Sequence, residues 1–305
     1  MTRPPGPRSM RSPRSTMVRQ VWFAVAVVGA LAGIATLWMH LTGGPLADVR
    51  AYYDAGARLN AGQPLYPPGA DTNAADLYRY PPLLAIVFRP LALLPYPAAA
   101  AAWEVIVLAA FVLTLRRMGI RRFETWIAVG ALGLPIGWVL AIGQAQAIVT
   151  LLLALGNPLG VALAANLKLF PVLVAAFWLG RREWPALARL GVWLAGLAAL
   201  QLLLEPAGTL DFLRVTNLEQ VGEVRNFSPY VISPLLWAAL AVAGAIVALR
   251  LARTRWGWAA AVALGVLTPP RLLLYMLMAL LACLAGPRAV PVGERPSDGR
   301  LDSAR

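Results

Sequence analysis

Residues 21–39 run for nineteen positions without a charge. About 20 apolar residues are needed to cross the hydrocarbon of a bilayer. Comparable runs recur at residues 98–115, 126–142, 190–204 and 230–249. In lipid every backbone N–H and C=O must find its partner within the chain, so runs of this kind fold as helices. The composition agrees. The chain is 59% hydrophobic and 13% charged, with a mean hydropathy of +0.66; a soluble domain is about 45–50% apolar and about 25% charged. These features predict an all-α, polytopic transmembrane helical bundle of about eight full spans, supplemented by broken or re-entrant half-helices.

The net charge of +13 raises the question of a nucleic-acid partner. The arginines argue against one, because they sit in short clusters between apolar runs and not on one face. A single cysteine, Cys283, excludes a disulfide framework and a cysteine metal site. The single histidine, His40, cannot build a histidine metal centre and reads as an interfacial residue ending the first span. Residues 1–20 are rich in Arg, Pro and Ser and are expected to form a disordered cytoplasmic tail. No small-residue cleavage pattern follows the first apolar run, which favours an uncleaved helix over a signal peptide. Residues 21–285 then form the membrane domain, with an outer loop at 40–82. Residues 286–305 form a second disordered cytoplasmic tail.

Several runs are interrupted. Residues 83–94 are broken by Arg89-Pro90 and read as a re-entrant or interfacial piece. Residues 159–179 carry Asn166, Lys168 and Pro171 and read as two half-helices that enter and leave on one side. Residues 256–267 and 272–285 form a last hairpin around Thr268-Pro269-Pro270-Arg271. With the N-terminus inside, this threading puts 19 arginines on the inner face and seven on the outer face. That asymmetry satisfies the positive-inside rule. Counting 159–179 as one full span would move Arg181, Arg182 and Arg189 outside and reverse everything after them. The outer face also takes eight of the 14 acids.

The stretch from Asp48 to Pro82 stands apart. It holds four acids, three arginines and five tyrosines, and Gly, Pro and Asn keep it from being one long helix. A polar, aromatic and carboxylate-bearing loop at a membrane face is a candidate site for chemistry; a plain connecting loop with an aromatic belt fits the same composition. Lys168 is the only lysine, placed at membrane depth. A cation there costs roughly 2.5 kcal/mol or more unless it faces a cavity or an anion. Snorkelling, or pairing with Glu104, are the structural alternatives. Gln144 and Gln146, in Gly143-Gln144-Ala145-Gln146, offer amides to a hydroxyl-rich ligand or serve as helix caps. Asn226-Phe227-Ser228 matches a glycosylation sequon, which the following Pro229 weakens. Together these residues suit a lipid-linked anionic substrate with a sugar-like acceptor. They suit an anion transporter or flippase equally, although no internal repeat is visible.

Four stretches resemble glycosyltransferase family 87, the membrane-embedded mannosyltransferases of the GT-C class that use a polyprenol-phosphate sugar. They are Asp48 with Tyr52-Tyr53 and Gly62-Gln63-Pro64-Leu65-Tyr66; Tyr80-Pro81-Pro82-Leu83 leading to Arg89-Pro90-Leu91-Ala92-Leu93-Leu94-Pro95; Gly143-Gln144-Ala145-Gln146; and Lys168-Leu169-Phe170-Pro171. The resemblance runs over residues 45–285. It implies a GT-C-like fold and an essential aspartate in the first outer loop, at Asp48, with Asp54 as second choice. It implies that Lys168 faces the donor phosphate, joined by Arg79 or Arg271, with Tyr80, Gln144 and Gln146 in the substrate site. It implies a polyprenyl-phosphate hexose donor, mannose above all, a lipid or glycan acceptor, and transfer at the non-cytoplasmic face of the cell membrane. No cofactor is required; a divalent ion on Asp48 and Asp54 is compatible. The family's histidine after a Ser-Pro pair has no counterpart near Leu274.

Overall fold

A computed structural model describes residues 13–67, 77–215 and 226–287. Thirteen α-helices occur among them: α1 (Pro13–Gly43), α2 (Ala47–Asn60), α3 (Pro82–Phe88), α4 (Tyr96–Met118), α5 (Phe123–Ala131), α6 (Gly133–Ile142), α7 (Gln146–Ala154), α8 (Pro158–Leu167), α9 (Ala175–Arg181), α10 (Trp184–Leu204), α11 (Pro206–Val215), α12 (Pro234–Leu251) and α13 (Gly257–Leu267). Short 3₁₀ segments lie at Leu91–Leu93, Phe170–Val174 and Pro229–Val231, and a longer one at Leu274–Leu284. No strand occurs among the described residues. The molecule is a helical membrane protein.

Among the described residues four helices, α1, α4, α10 and α12, are long and apolar enough to cross a membrane. The pair α5–α6 reaches that length only across a bend of 68°. Helix length among the described residues thus gives four candidate spans, or five with the bent pair, and does not bear out the expected count of about eight. The physical reason is length. Helices α7, α8 and α13 have 9 to 11 residues. At 1.5 Å per residue they rise roughly 15 Å, half of a hydrocarbon core about 30 Å thick. Glycine and proline cut these apolar runs before they reach the far side. The expected break inside residues 159–179 is present: α8 ends at Leu167 and a 3₁₀ turn with Pro171 precedes α9. At the other extreme, α1 reaches back to Pro13, into the stretch expected to be a tail. Residues 1–12, the loop acids Asp71 and Asp76, and residues 288–305 lie outside the described residues.

Small residues set the closest contacts. α1 packs against α5 and α6. Gly29 and Gly33 face Gly130, Gly133 and Gly137, and a Cβ on any of these would collide with backbone of the facing helix. Membrane helices approach in this way through small residues four apart. The lipid-facing surfaces read differently: Leu203 of α10 and Leu235 of α12 are 79% and 82% exposed.

The outer stretch contains a helix. α2 is amphipathic, with Val49, Ala51, Tyr52, Ala55, Gly56 and Leu59 buried. It lies on α3 and α4, and Gly56 lets the backbone of Phe88 approach. Tyrosines staple the irregular segment before α3. The Tyr78 hydroxyl donates to the Pro81 carbonyl at 2.6 Å and accepts from the Ala85 amide at 2.9 Å. Tyr66 donates to the Tyr80 carbonyl at 2.6 Å. Deeper in, Gln201 of α10 accepts from the Leu83 amide and donates to the Asn166 side chain, at 2.9 and 2.7 Å. Buried polar groups with partners of this kind lock register between helices that greasy surfaces alone would leave free to slide.

Candidate active site

The functional side chains meet where the interrupted helices meet. A cavity of 570 Å³ is lined by Asp48, Arg79, Tyr80, Gln146, Lys168 and Arg271. Asp48 sits in the first turn of α2, after Leu46 in the left-handed conformation at φ 59°. A helix N-terminus favours a carboxylate. Lys168 follows the last residue of α8 in an extended conformation, φ −149° and ψ 121°. Leaving the helix at this point turns the lysine off the helix surface and into the cavity. Its Nζ lies 4.5 Å from the Tyr275 ring centroid and 5.7 Å from that of Tyr80. It has no hydrogen-bond partner.

The charge that faces Lys168 is Asp48. The alternative partner, Glu104, is absent from the cavity lining, and its Oε2 lies buried near Gly143 without a hydrogen bond. Burial pushes the Asp48 carboxyl up from 3.8 to about 6, against the pull of the Lys168 and Arg79 charges and of hydrogen bonds from Tyr52 and Gln144. The Tyr52 hydroxyl lies 3.5 Å from Asp48 Oδ2 and 3.1 Å from the Tyr80 hydroxyl. A carboxyl group raised by desolvation above the usual carboxylate range and wired to tyrosines can serve as a general base.

The two amides have different surroundings. Gln144 is fully buried behind the cavity wall; its Nε2 donates to the Tyr80 hydroxyl at 2.6 Å and its Oε1 accepts from the Gln146 amide at 2.9 Å. Gln146 itself lines the cavity. The turn that presents them needs Gly143 at φ 65°, and the Trp103 indole holds the Gly143 carbonyl at 2.7 Å. Asp54 is not brought to the site. It lies on the far side of α2 and pairs with Arg50 at 3.1 Å, with 33% of its side chain exposed.

Three contributors escaped the sequence reading. Asn226, met there only as a weakened sequon, holds the loop that carries Arg271. Its Nδ2 donates to the Pro270 carbonyl at 2.9 Å, and its Oδ1 accepts from the Leu272 and Ser228 amides at 2.8 and 2.9 Å. Trp237 secures the start of the same loop through the Thr268 carbonyl at 2.7 Å. His40 lines the cavity, its ring 5.3 Å from that of Trp138, which packs on Tyr275. Nothing in the spacing of these residues signals the contacts, which, apart from the local bond to Ser228, join segments more than 30 positions apart. Among the described residues no group of three or more His, Cys, Asp or Glu side chains could hold a metal ion.

Comparison with known proteins matches residues 78–287 to the model of glycosyltransferase family 87. That span contains Arg79, Tyr80, Gln144, Gln146, Lys168 and Arg271, while Asp48 precedes it. Two curated relatives are each a polyprenol-phosphate-mannose-dependent alpha-(1-2)-phosphatidylinositol pentamannoside mannosyltransferase. The one from Mycolicibacterium smegmatis is 28% identical over 195 residues, 58% of this chain and 48% of the relative. The one from Mycobacterium tuberculosis is 28% identical over 206 residues, 60% of this chain and 48% of the relative. The chain thus spans about half the length of these relatives. No solved structure matches it.

Proposed function

This chain belongs to glycosyltransferase family 87, and we propose that it moves a hexose, mannose by analogy with its relatives, from a polyprenyl-phosphate donor to a glycolipid acceptor. The observation that carries the reading is a cavity in which the half-buried Asp48 carboxylate faces Lys168. In the proposed step Asp48 takes the proton of an acceptor hydroxyl as its oxygen attacks the anomeric carbon. The bond from that carbon to the phosphate oxygen breaks, and polyprenyl phosphate leaves with the electron pair. Lys168, Arg79 and Arg271 stabilise the charge that grows on the phosphate, an effect that is strong in a site closed to water. These cations supply positive charge at the leaving phosphate. The polyprenyl tail lies along apolar helix surfaces. The arginine asymmetry supports a cytoplasmic location of both termini and transfer at the opposite face of the cell membrane.

The test is incubation of the purified chain with radiolabelled polyprenyl-phosphate mannose and a membrane lipid extract. Label in a new glycolipid supports the reading. An intact donor and no labelled product overturn it. Donor carried unchanged across a vesicle membrane would replace it by a lipid transporter.

A further inference from the structure

Gln146 opens α7 and is 3% exposed. Its backbone amide is engaged by Gln144 Oε1. That contact fixes the Gln144 amide, oxygen toward α7 and nitrogen toward Tyr80 and Asp48, so Gln144 is used up by protein partners. Gln146 differs. Its side chain lines the cavity, and its Oε1 is buried without a hydrogen-bond partner. A buried amide oxygen left unpaired is costly, so the site calls for a donor that arrives with the ligand. Lys168 Nζ presents the complementary lack in the same cavity, a buried donor cation without a hydrogen-bond partner. A ligand answering both carries an anionic oxygen and, close to it, a hydroxyl. A sugar phosphate has that pairing, whereas a polyprenyl chain or a bare phosphate supplies only part of it.

We infer that Gln146 accepts a hydrogen bond from one hydroxyl of the transferred hexose, making it a specificity-determining residue for the donor sugar. The inference rests on the transferase reading above and adds to it: the cations hold the phosphate, and Gln146 reads the sugar. An apolar wall discriminates weakly between a hydroxyl and a hydrogen, but a buried acceptor rejects the deoxygenated analogue because it is then left unpaired.

The experiment compares kcat/KM for polyprenyl-phosphate mannose with that for its 2-, 3-, 4- and 6-deoxy analogues, using the parent chain, Gln146→Met and Gln146→Glu. In the parent, one deoxy donor should lose roughly tenfold to a hundredfold, the others less. Gln146→Met, of similar length but without a strong acceptor, should be slower with the mannosyl donor and show no penalty at that position. Gln146→Glu keeps an acceptor and should keep the penalty. A merely structural role would slow Gln146→Met equally with every donor, leaving the parent's pattern unchanged; that result overturns the inference. So does a parent that turns over all four deoxy donors as well as the mannosyl donor. A parent that neither binds nor uses the mannosyl donor overturns the transferase reading instead.

Discussion

The chain interrupts its apolar runs in two contrasting ways. Between α5 and α6 the helix bends by 68° at Leu132, and the interruption is lined by Gly130, Gly133 and Gly137. Between α8 and α9 it is lined by Lys168 and Pro171. The first break has no charge, and the backbone of α1 fills it. The second keeps a cation, and a cavity forms around it. Irregular backbone at membrane depth survives where protein covers it or where it lines a cavity; this molecule uses one solution at each break. The lesson is that a broken span is not by itself a site. The charge left at the break decides which it becomes.

If that distinction holds, substitutions around the charged break should cost turnover, and substitutions at the glycine break should cost stability. The largest effect is expected from the carboxylate opposite Lys168. Asp48→Asn keeps the shape and removes the basicity. Transfer should fall by about a hundredfold to ten-thousandfold, with donor binding retained. The pH profile adds a sign. Burial raises the Asp48 carboxyl to about 6, so the group is protonated and useless as a base below that value. Parent transfer should rise with pH as the Asp48 carboxyl loses its proton, and Asp48→Asn should lack that limb. Initial rates between pH 4.5 and 8 decide the matter; a flat parent profile removes Asp48 from the role of base.

Lys168→Met comes next. A cation on a phosphate oxygen is worth about 1.5–3 kcal/mol, which corresponds to roughly a tenfold to hundredfold loss of donor-limited turnover. The fold should survive, because Asp48 keeps the Arg79 charge and its hydrogen bonds from Tyr52 and Gln144 when the ammonium group is removed. Parent-like turnover in monodisperse protein would make Lys168 structural and erase the contrast between the breaks.

The glycine break predicts the reverse. A side chain on Gly133 would run into the backbone of Gly29 and Ala30 on α1. Helix backbone cannot step aside as a side chain can, so Gly133→Val should destabilise by about 1–3 kcal/mol. The reading is a lower Tm and a smaller monodisperse fraction, with turnover per folded molecule unchanged. A variant that folds normally but is inactive would mean that this break also serves the site.

The contrast also marks how far sequence reasoning reaches. Charge in an apolar run is legible by eye, so Lys168 and its break were visible, as was Asp48 in a polar outer stretch. The arginine clusters gave a threading, but hydropathy does not report length along the membrane normal, and the half-helices were counted as spans. What stayed hidden depends on contacts between distant segments. Gln144 and Gln146 look alike in sequence, yet one faces Tyr80 inside the wall and the other faces the cavity. Asn226 holds the Arg271 loop across 44 positions. His40 reaches the cavity only because α1 packs against α6.

The smallest effect concerns the second outer aspartate. At roughly 100° per residue, the six positions between Asp48 and Asp54 turn the two carboxylates to different faces of α2. The buried stripe through Val49, Tyr52, Ala55 and Leu59 accompanies Asp48 toward the interior. Asp54 instead meets Arg50 one turn back, and Arg50 also lies over the Tyr96 ring at 4.8 Å. An exposed pair of this spacing is worth about 0.3–0.5 kcal/mol, and Asp54→Asn removes only its charge. Transfer by Asp54→Asn should stay within about twofold of the parent, since that energy equals at most a factor near two. The small loss of stability should shrink further in high salt, which screens surface pairs. Parallel assays of Asp48→Asn and Asp54→Asn give the sharpest check on α2. If Asp54→Asn is the inactive one, the face that α2 presents to the cavity has been misassigned. The base would then have to reach the acceptor from the solvent side of this helix.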